Sequence, residues 1–218
     1  KPSSAASDVY KRQHSNGRET TGHLEFGIKF FPKGYKPKYT ERGPRTGNGV
    51  DLDVLPGLPN QELRNSVVLQ EHTKIMAFEP HLHAPGVRMC LEAIFGHNKF
   101  TINCVGYDHN WVKQYIYKED SAPLLPKGTI LQTIAYMDTS SNNPNLADSR
   151  NWSGGGRRSV SNMFIDLGYS VTMTEEQFQE EMAARREILG NKNNYDVGCP
   201  LCWAPVPESV SYTHLTLP

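Results

Sequence analysis

The chain has 218 residues, enough for one large all-β domain or two small ones with a buried core. Lys plus Arg and Asp plus Glu balance at 23 each, so no global basic field exists to gather nucleic acid or an anionic membrane surface. Hydrophobic residues make up 37%, and no run nears the ~18 apolar residues of a membrane span, which excludes a transmembrane helix.

The opening Ser3–Gln13 and the closing Val210–Pro218 resemble translated adapter sequence, so residues 1–13 and those from 210 onward are expected to be tails without chemistry. In LEFGIKFF, Leu24, Phe26, Ile28 and Phe30 alternate with Glu25 and Lys29, which predicts a half-buried strand over Leu24–Phe31. Gly and Pro punctuate Pro32–Pro59 as loop. Strands are expected at Ser66–Leu69 and Lys74–Phe78. Val87–Phe95 and Phe100–Val105 read as a hairpin around Gly96-His97-Asn98. A three-residue turn there would set Cys90 opposite Cys104, as a disulfide or as two buried thiols.

Further strands are expected at Trp111–Tyr117, at Thr129–Met137 after the turn Pro126-Lys127-Gly128, and at Val160–Val171. Between the last two lies a polar loop, Asp138–Arg158, of a length that usually serves function or is disordered. Thr174-Glu175-Glu176-Gln177 is a capping box that opens a helix running to Leu189, with Gly190 as its C-cap. Many short strands and one terminal helix define an all-β class: an antiparallel, jelly-roll-like β-sandwich with a C-terminal α-helix. The expected layout is a tail over 1–13, a β-sandwich over 14–172, the helix over 173–190, and a tail over 191–218. That last tail holds Cys199-Pro200-Leu201-Cys202, which reads as half a zinc site or a redox pair, with no second CxxC beside it.

His81 and His83 stand two apart, so on an extended strand both imidazoles project to one side and can chelate a single ion. Eight histidines in 218 residues give about 0.3 such pairs by chance, so the spacing needs company. It has company in an ordered series: FEPHLHAPGVRM, YDHNW (Tyr107–Trp111), LLPKGT (Leu124–Thr129), NNPN (Asn142–Asn145) and SVSNMFIDLGY (Ser159–Tyr169).

This series resembles the C-terminal domain of the copper type II, ascorbate-dependent monooxygenases, bacterial members above all, from about Glu19 to Arg186. The resemblance implies one copper held by His81, His83 and Met163, which are both the metal ligands and the catalytic set. Imidazoles suit both copper oxidation states and a thioether favours Cu(I), while a catalytic metal keeps an open position. It further implies an oxidoreductase of monooxygenase type, acting on dioxygen and a small-molecule substrate in an extracytoplasmic setting. Electrons would come from an ascorbate-like reductant through a second copper. In the family that second copper is held by three histidines of a preceding domain, which this chain is expected to lack. Asn16–Thr21 matches the segment that follows the last of those histidines, so the chain is expected to be a fragment unable to turn over alone; His14 is given no ligand role. The different reading of the same three ligands is a non-enzymatic copper-binding or electron-transfer module.

Other residues are expected to be structural. Asp108, Asn110 and Trp111 would shape the sandwich, with Trp111 buried, and His72, His97 and His109 match no ligand position. Peptide-amidating members hold a substrate carboxylate through an Arg, an Asn and a Tyr at positions occupied here by Glu79, Ile165 and Leu167. Those side chains cannot replace such donors, and Glu79 would repel a carboxylate, so a peptidylglycine substrate is not expected.

Overall fold

The computed structural model describes residues 18–189 except 20, 22, 24, 26, 40, 41, 110, 147, 151–153 and 158–160. The chain divides into a unit over 1–36 and a unit over 37–218. In the first, Pro32 accepts the Tyr35 N–H at 3.0 Å across a turn whose Gly34 has φ of +87°, and the Phe31 and Tyr35 rings stack at 4.2 Å. The strand expected at Leu24–Phe31 is not formed by its described residues, and Ile28 and Phe30 are exposed. Leu24 and Phe26 lie outside the described residues. Period-two alternation makes a strand only where a partner ladder takes up the backbone groups.

The second unit is the β-sandwich. Its elements are β1 (Gly47–Asn48), β2 (Gln61–Val68), β3 (His72–Phe78), β4 (Pro80–Leu82), β5 (Gly86–Phe95), β6 (Asn98–Gly106), β7 (Tyr115–Ile116), β8 (Leu124–Leu125), β9 (Ile130–Met137), β10 (Phe164–Asp166) and β11 (Tyr169–Met173), then helix α1 (Glu175–Leu189). One antiparallel sheet runs β2-β9-β5-β6; a second runs β11-β3-β7, with β8 also on β3; a third runs β1-β10-β4. Rows of the first sheet, Val67–Leu131–Ala93 and Leu63–Ala135–Met89, face the core, where Ile75, Phe78, Leu82 and Phe164 of the other two meet them.

Several strands differ from their sequence outlines. Strand β2 starts five residues early, at Gln61, because two of its inward positions are polar and satisfied within the fold. Gln61 bonds the carbonyls of Leu55 and Leu58, and Asn65 accepts the Gly47 N–H at 2.9 Å. Trp111–Tyr117 yields only β7, and Trp111 is 66% exposed rather than buried. Asp108 does shape a turn, its carbonyl accepting the Trp111 N–H at 3.0 Å; Asn110 lies outside the described residues. Val160–Val171 becomes two strands on different sheets, broken at Leu167-Gly168. A Cβ on Gly168 would lie 2.2 Å from the Ala77 carbonyl oxygen, so the chain can cross between sheets there only as glycine.

The β5–β6 hairpin turns on two residues, Gly96 and His97, since Phe95 pairs with Asn98. A bulge then leaves Ile102 without an opposite residue, shifts the register and sets Cys90 opposite Cys104. The two form a disulfide, which resolves the alternative left open by spacing. Replacing both cysteines by serine is expected to lower stability by about 3 kcal/mol, because the bridge closes a short loop in the unfolded chain. Denaturant melts with and without reductant test this: wild type in reductant should match the double variant.

Helix α1 begins at the expected capping box. The Gln177 N–H donates to Thr174 Oγ1 at 3.3 Å, and the Thr174 N–H donates to Gln177 Oε1 at 3.0 Å. Phe178, Glu181, Met182 and Arg185 recur at helical spacing and face the sandwich. Phe178 and Met182 pack with Leu124, Met173 and Tyr39, and Arg185 donates to the Ala122 carbonyl at 2.9 Å. Glu181 accepts from Lys38, Tyr39 and the fully buried Lys74, the last at 2.9 Å. Gly190 lies outside the described residues. Among the described residues, no helix is long and apolar enough to cross a membrane.

Candidate metal centre

Strand β4 pairs with β10 in the register Leu82↔Phe164, His81↔Ile165 and Pro80↔Asp166. Leu82 and Phe164 both belong to the core. Side chains alternate along a strand, so His81, His83, Met163 and Ile165 all project from the opposite side of the ribbon. Continuing the register one step puts Met163 across from His83, and the His83 N–H donates to the Met163 carbonyl at 3.3 Å. The three residues singled out from sequence, 82 positions apart at the extremes, therefore share one face of two neighbouring strands.

The imidazoles lie edge to face, with ring centroids 5.2 Å apart and planes at 85°. His83 is fully buried and His81 is 7% exposed, while Met163 is half-buried. Met163 fits because β1, on the far side of β10, leads into Gly49: a Cβ there would lie 2.8 Å from Met163 Cε and 3.7 Å from its Sδ. Among the described residues, no group of three or more His, Cys, Asp and Glu side chains is set to hold a metal. Two imidazoles and a thioether are a different donor set, one that suits copper in both oxidation states and Cu(I) most.

The backbone bearing the two histidines is closely held. Gly86 donates to the His83 carbonyl at 2.7 Å to close the turn after β4, and a Cβ on Gly86 would fall 2.3 Å from Leu82 Cβ. Tyr107 donates its hydroxyl to the Leu82 carbonyl. Asn143, 7% exposed, donates from Nδ2 to the Ala84 carbonyl at 3.1 Å and to the Asp138 carbonyl at 2.7 Å. Tyr107, Asn143 and Gly49 had no assigned role in the sequence reading. Tyr107 and Asn143 sit inside its motifs and Gly49 in the Gly- and Pro-punctuated loop, but only the fold shows which groups they meet.

Next along the same face come Ile165 and then Leu167, whose N–H donates to the Glu79 carbonyl at 2.9 Å. Glu79, Ile165 and Leu167 are thus brought together beside His81. The Glu79 carboxylate accepts from Gln114 Nε2 at 2.7 Å. The neighbouring Asp166 carboxyl is pushed up by burial, against the pull of N–H donors from Glu79 and Gly168.

His72 pairs with Glu175 at 2.7 Å, accepts the Lys127 N–H and stacks on Phe178, and so ties α1 to β3. His97 is exposed in the hairpin turn. His109 lies with its ring 6.5 Å from that of Tyr107. His14, Cys199 and Cys202 lie outside the described residues. No family model matches the chain, and no curated protein matches it.

Proposed function

We propose that this domain binds one copper ion through His81, His83 and Met163, and that it is the oxygen-activating half of a copper-dependent monooxygenase. The observation that supports this most is the convergence of the three residues on one face of the β4–β10 ribbon, with Gly49 leaving room for the thioether. Bound there, copper would supply one-electron redox chemistry with dioxygen for hydroxylation of a C–H bond. The two imidazoles bind either oxidation state, and Met163 biases the site toward the reduced ion. Burial of His83 keeps bulk water from the inner edge of the site and fixes its ring.

Glu79, Ile165 and Leu167 argue for a substrate without a carboxylate at this rim, since two aliphatic side chains and an acid offer an anion no donor. The reductant is ascorbate-like, and its electrons enter through a second copper centre on a preceding domain. The Cys90–Cys104 disulfide favours an oxidising, extracytoplasmic compartment.

The test is metal analysis followed by oxygen uptake. The chain as given should hold one copper per molecule and consume little oxygen with ascorbate. Joined to a three-histidine copper domain, it should hold two and consume oxygen in the presence of a hydroxylatable substrate. Two coppers without oxygen uptake would favour a copper-binding or electron-transfer module, which the same ligands could serve; no copper at all would remove the metal reading.

A further inference from the structure

We propose that Tyr107 and Asn143 are positioning residues for the His81–His83 pair, an inference that rests on the copper reading above. Two histidines two apart on a strand chelate an ion only while the peptide between them stays extended, so the geometry of Leu82 sets the geometry of the site. β4 is three residues long and lies at the edge of its sheet, which is the weakest place to hold such a peptide.

The ladder protects only half of it. In an antiparallel pair the backbone groups of successive residues point alternately toward and away from the partner. The His83 N–H bonds to the carbonyl of Met163, the residue just before β10, so the Leu82 carbonyl points to the open edge. Tyr107, just past the end of β6, meets it there with its hydroxyl. Beyond His83 the chain turns through Ala84 and Pro85, with Gly86 bonded back to the His83 carbonyl. The Ala84 carbonyl is taken by Asn143 Nδ2, whose second hydrogen goes to the Asp138 carbonyl and so ties the turn to the start of the long polar loop. One clamp therefore grips the middle of the chelate and the other grips its end. They come from the Tyr107–Trp111 and Asn142–Asn145 motifs.

The experiment uses the full chain and compares Tyr107→Phe and Asn143→Ala with Thr133→Val. Thr133 is a fully buried core hydroxyl that bonds Thr46 rather than the backbone of β4 or the turn after it. Cu(I) affinity is read by competition with a chromophoric chelator, Cu(II) geometry by electron paramagnetic resonance, and stability by thermal melting. Tyr107→Phe should weaken Cu(I) binding about tenfold, the lower end for loss of an outer-sphere support, and split the Cu(II) spectrum into more than one species. Asn143→Ala should do the same in smaller measure. Thr133→Val should melt earlier yet keep wild-type affinity and a single Cu(II) species. Wild-type affinity and spectrum in Tyr107→Phe would overturn the clamp while leaving the copper reading intact, as would an equal loss of affinity in Thr133→Val. A wild-type chain that takes up no copper would overturn the copper reading and this inference with it.

Discussion

Replacing Met163 by Ile is expected to weaken Cu(I) binding by roughly a hundredfold, or about 2.7 kcal/mol, while Cu(II) binding changes far less. The asymmetry follows from ligand softness: a thioether contributes to the reduced ion and little to the oxidised one, whereas His81 and His83 serve both. Isoleucine keeps the apolar bulk beside Gly49 and suits the extended backbone across from His83, so the fold should persist. Gly49→Ala is the companion variant. Its new methyl would meet Met163 Cε at 2.8 Å and must displace the thioether, so it should also lower Cu(I) affinity with all three proposed ligands still present. Titration of both variants with Cu(I) and Cu(II) is the measurement. Unchanged Cu(I) affinity in Met163→Ile would take Met163 out of the site and leave a two-histidine chelate.

The second large effect is expected beneath helix α1. Lys74 is fully buried on β3, with its ammonium on Glu181 of α1 at 2.9 Å and on Glu119. Lys74→Ala should cost about 3–5 kcal/mol, because it removes one partner of a buried ion pair and leaves a cavity under the helix. Lys74→Met with Glu181→Leu should recover most of that loss, since neither charge is then stranded.

The same cluster sets an acid limit on the fold. Burial alone would raise the Glu181 carboxyl, but hydrogen bonds from Lys38, Tyr39 and Lys74 outweigh it and hold the group down at about 2. Tyr39 in turn is pushed up to about 12, by burial first and by its bond to Glu181. An unfolded Glu titrates near 4.3, roughly. The depressed value therefore contributes stability that is fully present above that pH and is lost as pH falls toward 2. Equilibrium denaturation between pH 6 and pH 2, approximately, should show stability declining through this window. In Lys74→Ala the carboxyl loses one of its donors, so the decline should be smaller and should level off at a higher pH. A flat profile in wild type would mean that Glu181 is not held by this cluster.

Much of the sandwich could be read from pattern because its signals are local. Alternation and turn residues locate β3, β5, β6 and β9 to within a few residues. The capping box at Thr174 marks the start of α1 because the cap is made from the same four residues that spell it. Strand β2 was longer than its apolar core suggested, since Gln61 and Asn65 look like loop residues until their partners in the Leu55–Leu58 loop and at Gly47 are known. Trp111 misled in the opposite sense: an aromatic in a strand-like run suggests burial, yet the run folds into a turn and a two-residue strand and leaves the ring in solvent.

At the candidate site, the His81–His83 spacing already implied two imidazoles on one side of a strand, a consequence of strand geometry alone. The residues could not by themselves say that Met163 lies across from His83; spacing in the chain carries no distance between strands, and only the Leu82↔Phe164 register brings them together. The disulfide shows the same division. Sequence put Cys90 and Cys104 opposite each other through a three-residue turn, whereas the fold does so through a two-residue turn followed by a bulge. What the sequence determined by itself was the class of fold, the helix start and the histidine pair, each fixed by contacts within a few residues. What the tertiary structure decided was register: which thioether faces the pair, which glycine makes room for it, and which hydroxyl and amide hold the peptide between. Those depend on hydrogen-bond ladders between segments as far apart in the chain as Gly47 and Ile165, and one step of slippage would turn every one of these side chains to the other face.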